Sequence, residues 1–119
     1  MPAYNFQERW ARKIEDGEKP HTIRKRRKRP TVIGDKLFLY TGMRTKECRL
    51  LKETVCAQIM PIDIFADTVS VNGEVLNKRD LDLLAYSDGF DSVGEFFEFF
   101  GKTYGLPCVG QLEIVFWKP

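Results

Sequence analysis

Asn72-Gly73 stands between two short β-branched runs, TVSV at residues 68–71 and EVL at residues 74–76. Both residues of the dipeptide tolerate positive φ, so it predicts a two-residue turn of the primed type closing a tight hairpin. Other segments extend the β reading. HTIRKR from His21 has period-two character around Ile23, which places Thr22 and Arg24 together on the opposite face. KLFLY at residues 36–40 reads as a strand entered through a Gly34-Asp35 turn. LLKETVCAQIMPIDIF supplies another, with Val55, Ala57 and Ile59 on one face and Pro61 expected to end or bulge it. GQLEIVFW near the C-terminus alternates Leu112, Ile114 and Phe116 on one face.

Helical periodicity brackets these strands. Phe6, Trp10 and Ile14 recur four apart, which predicts a short amphipathic helix stopped by Gly17. Residues 77–87 read as a helix with Asn77 as N-cap, ending before Asp88-Gly89. A further helix opens at Asp91 or Ser92, with Glu95 at capping-box spacing from Ser92. Its Phe96, Phe97, Phe99 and Phe100 demand deep packing. With 119 residues there is room for one core, spanning 1–119 as a single domain. Strands around a helical insert, without a βαβ rhythm or a glycine-rich phosphate loop, predict an α+β fold: a small, mainly antiparallel β-barrel flanked by helices.

Charge is unevenly spread. Residues 1–36 carry 11 Lys/Arg against 5 acids, although the whole chain is only +2. Six successive cations, Arg24, Lys25, Arg26, Arg27, Lys28 and Arg29, lead into Pro30. Such a run cannot enter a core without a severe desolvation cost, so it belongs on a solvated strand end or loop. There it is stabilised by a polyanion that sheds counterions on binding, and nucleic acid is the natural partner. A solvated loop without a ligand, or a localisation signal, fits the same run. No stretch approaches the roughly 18 apolar residues of a membrane span, and MPAYNFQERWARK lacks an apolar leader, so a soluble, cytoplasmic protein with no membrane partner is expected. Cys48, Cys56 and Cys108 are widely spaced and accompanied by a single histidine, His21, so they are read as buried free thiols and no metal site is assigned.

A second constellation is chemical. Lys19, Thr22 and Arg24 bring an amine, a hydroxyl and a guanidinium within reach of one ligand. A lysine desolvated in a pocket serves as a base toward a hydroxyl, and Asp88 in SDGF can orient it or shuttle a proton. Lys19 is expected to be a cleft residue whose removal leaves stability largely intact.

In order along the chain, Gly17-x-Lys19-x-x-Thr22-Ile23-Arg24, Gly34-Asp35, Thr41-Gly42-x-Arg44 and Asp88-Gly89-Phe90 resemble the ASCH family, a branch of the PUA-like small β-barrels. The likeness covers most of the chain. It implies a cleft between helices and strands that receives RNA or a nucleoside, with no cofactor. In the family's amidohydrolase branch, which acts on N4-acetylcytidine, a Lys, a Thr and an acid are catalytic; these fall on Lys19, Thr22 and Asp88. That branch has Glu where this chain has Asp, one methylene shorter, which alters the proton-transfer geometry. Ribonuclease activity is also attributed to relatives. The leading expectation is an RNA-binding module with Arg24 to Arg29 and Arg44 on phosphates. The alternatives are an amidohydrolase of acylated nucleosides, a metal-independent ribonuclease, or a basic loop that docks an acidic protein. Oligomeric state is not legible in the sequence.

Overall fold

The computed structural model describes residues 2–119. In chain order the elements are β1 (Ala3–Phe6), α1 (Glu8–Glu15), β2 (His21–Lys25), β3 (Lys36–Thr41), β4 (Arg49–Ile64), β5 (Val69–Val71), β6 (Glu74–Val75), α2 (Lys78–Ser87), α3 (Val93–Tyr104) and β7 (Cys108–Trp117). The result is an α+β fold with a mostly antiparallel mixed sheet. Its one parallel pair is β1 with β3, in the register Ala3 to Phe38 through Phe6 to Thr41.

β4 is the spine. Residues 49–55 pair with β3, while residues 56–64 pair with β7, and Ile62–Ile64 also pair with β5. β7 then pairs with β2. The sheet therefore runs from β1 through β3, β4 and β7 to β2, and it does not close, because no ladder joins β1 to β2. A closed barrel is not what the strands form. The open seam between β1 and β2 is the feature that positions the site.

The first residues depart from the predicted helix. Ala3–Phe6 is a strand and the helix starts only at Glu8, so Phe6 enters the core from β1 while Trp10 and Ile14 enter from α1. Pro61 does not end β4. It sits opposite Glu113 inside the ladder, and the register shifts fall at Cys56/Gln58 and Ile62/Ile64 instead. On the first half of β4 the buried side chains are Thr54 and Cys56, one residue out of step with the expected Val55, Ala57 and Ile59 face. β7 pairs with both β2 and β4 and buries Leu112 through Val115, so that stretch is covered on both faces.

The turns and caps follow their local chemistry. Asn72 and Gly73 take φ of 53° and 81° and join β5 to β6. Asn77 and Ser92 cap α2 and α3, accepting from the amides of Asp80 and Glu95. The Glu95 carboxylate pairs with Arg9 on α1 rather than reaching back to complete a capping box. Phe96 and Phe100 of α3 are buried among Phe90, Phe99 and Trp10 in edge-to-face contacts. Cys56 and Cys108 are buried, but Cys48 is exposed because the loop after β3 carries it into solvent.

Candidate functional site

Four residues from three stretches of chain line one cavity of about 170 Å³: Lys19, Thr22, Arg24 and Asp88. Lys19 follows α1, Thr22 and Arg24 share a face of β2, and Asp88 is the C-cap of α2. The remaining wall is aromatic, with Trp10, Phe90, Phe99 and Tyr104 among its members.

Lys19 and Asp88 form a buried pair, each no more than 3% exposed. Lys19 Nζ donates to Asp88 Oδ1 at 2.7 Å and to the Asp88 carbonyl at 2.5 Å. Burial pushes the Lys19 ammonium below the usual lysine range, and Asp88 pulls it back. Lys19 is thus not a free cleft side chain, as expected from sequence; it is a structural ion as well as a pocket group. The turn that presents Asp88 is held from the same side, since Lys13 Nζ donates to the Gly89 carbonyl at 3.0 Å. Gly89 takes φ of 104°, and a Cβ there would lie 2.7 Å from Trp10 Cδ1. Only glycine satisfies both the backbone and the packing.

His21 extends this pair. Its Nδ1 lies 3.1 Å from Asp88 Oδ1, and its Nε2 lies 3.0 Å from Ser87 Oγ. The Nδ1 contact is too poorly aligned for a full hydrogen bond. The Ser87 hydroxyl donates to the Leu84 carbonyl at 3.2 Å, which leaves its oxygen to accept from His21 Nε2. Nothing in the sequence separated His21 from an ordinary strand residue. Trp10, whose helical spacing predicts a core position, has its Nε1 buried without a partner, and its ring lies 5.3 Å from Lys19 Nζ.

On the other side of the cavity, Arg24 Nε donates to Thr22 Oγ1 at 3.0 Å, and its guanidinium lies 4.8 Å from the Phe6 ring centre. Burial holds the Arg24 pKa below its usual value. Arg24, Asn5 and Tyr104 also line a second, wider depression of about 530 Å³ over the seam. Lys25, Arg27, Met43 and Arg44 complete much of its rim, and none of its lining residues is acidic. Arg44 reaches it from the loop after β3 with φ of 67°.

The six-cation run does not act as a block. Arg24, Lys25 and Arg27 face the depression, whereas Arg26 turns toward Glu113, 3.8 Å away. Lys28 and Arg29 line a different groove. Among the described residues no group of three or more His, Cys, Asp or Glu is placed to hold a metal ion, and no helix is long and apolar enough to cross a membrane. Comparison of the chain with protein-family models, curated proteins and solved structures finds no match.

Proposed function

We propose that this chain is an RNA-binding module of the ASCH type, its curled but open sheet being a PUA-like barrel parted between β1 and β2. One observation carries the reading: a basin with four cationic and no acidic side chains opens, through Arg24, into an aromatic-walled pocket. Phosphates suit the basin, because Arg24, Lys25, Arg27 and Arg44 supply charge and Arg offers paired donors. An unpaired base suits the pocket. Its volume is below the roughly 300 Å³ at which small-molecule sites begin, so a ring enters while the backbone stays outside. Anisotropy of labelled single-stranded RNA tests this. Four neutralised phosphates imply a roughly fifty-fold loss of affinity between about 50 and about 200 mM salt. Undetectable or salt-indifferent binding refutes the module.

Hydrolysis is the second reading, favoured by burial that lowers the proton affinity of Lys19 in the same cavity as Thr22. Lys19 would act as base, Thr22 as nucleophile and Asp88 in support, with Arg24 near the developing oxyanion. Incubation with N4-acetylcytidine, followed by chromatography for cytidine, tests it. Cleavage of labelled RNA in the binding assay would instead mark a ribonuclease.

A further inference from the structure

A second cationic groove of about 560 Å³ lies beside the basin, lined by Pro2, Arg27, Lys28, Arg29, Pro30, Asp35 and Lys36. Arg27 belongs to both depressions. It is held at their junction by a 2.7 Å hydrogen bond to the Ala3 carbonyl and by its guanidinium over the Tyr4 ring, 4.6 Å from the ring centre. The groove's one acid, Asp35, already accepts from the Val32 amide. Lys36 has a partner in Glu53 at 3.4 Å, but Lys28 and Arg29 form no ion pair among the described residues.

Resting on the RNA-binding reading, we infer that the ligand is a continuous single strand rather than a nucleoside or mononucleotide. It runs from the inner pocket over the basin, past Arg27, and into the second groove. Proximity of like charges is the physical reason. Cations crowded along one path repel one another, and a chain of regularly spaced phosphates relieves that repulsion at every step. A nucleoside engages none of the second groove, and a mononucleotide engages only the basin. The pocket anchors one end and the groove registers length.

The test compares oligoribonucleotides of roughly three and roughly twelve residues, the first shorter than the roughly 4–16 nucleotides that a small β-domain covers on a single strand and the second within that range. It uses the unmodified chain and the triple variant Lys28→Ala, Arg29→Ala, Lys36→Ala, whose exposed side chains are not packing residues. The longer strand should bind at least tenfold tighter to the unmodified chain. The triple variant should erase that gain, flatten the salt dependence for the longer strand by about two in log-log slope, and leave the short one unchanged. Equal affinity for both lengths, or a gain that survives the triple variant, overturns the strand while leaving the module standing. Failure of both lengths to bind overturns both. A poly-glutamate peptide of matching charge is the control; if it binds as tightly as the longer RNA, the path serves acidic protein and the proposal falls.

Discussion

Arg24 Nη2 donates to the Asn5 carbonyl at 2.5 Å, so a side chain from β2 spans the seam that no strand ladder closes. The same guanidinium holds Thr22 through Nε. Lysine cannot make both contacts from one nitrogen at the fork's spacing. Arg24→Lys should therefore cost about 1–2 kcal/mol in urea unfolding, and RNA affinity should fall with it. An unchanged midpoint would show that the seam does not depend on this stitch.

The Lys19–Asp88 pair sits where neither charge is hydrated. Removing one partner strands the other, at a cost of about 3–5 kcal/mol. Lys19→Met and Asp88→Leu should each lose that much, and the double variant should recover most of it while abolishing ligand binding. Urea denaturation of the three variants decides; singly neutral substitutions would mean that water reaches the pair.

His21 is the chain's single histidine, which gives its ring nitrogens unique signals. In the neutral form, nitrogen-15 spectra should place the proton on Nε2, facing Ser87. His21→Gln keeps a donor near the Nε2 position and should retain ligand affinity. His21→Asn withdraws the donor toward the Nδ1 position and should weaken binding. A ring protonated at Nδ1, or equal behaviour of the two variants, removes His21 as the group that ties Ser87 to the site.

Glu113 is buried, with the Arg26 guanidinium 3.8 Å away, and burial raises its pKa above the ordinary 4.5. The folded state then holds the proton more tightly than the unfolded one. Its contribution is fully present below about pH 4.5 and is lost as pH rises through the folded pKa. Glu113→Gln should match the unmodified chain in acid and exceed it in stability at neutral pH. Thermal unfolding across that range checks the sign.

The sequence announced features that are set locally. Asn72-Gly73 needs only its own φ preferences to make a turn, and Asn77 and Ser92 need only the next few amides to cap. The shared face of Thr22 and Arg24 follows from strand alternation. What stayed hidden depends on distant pairing. Ala3–Phe6 is too short to announce itself and becomes a strand because β3 offers a parallel edge. The burial of Lys19 comes from Asp88, 69 positions away. Likewise, the splitting of the cationic run arises because Arg26 meets Glu113 of β7 while its neighbours face the seam.

β4 carries both walls of the site on one backbone: β1 hangs from its first half by way of β3, and β2 from its second half by way of β7. The two walls behave like the arms of tongs hinged on one strand, whose register slips at Cys56/Gln58, and latched across the mouth by Arg24 at Asn5 and Arg27 at Ala3. A guest that forces the jaws apart must release those latches as well as flex the hinge, so both set how thick an object the jaws accept.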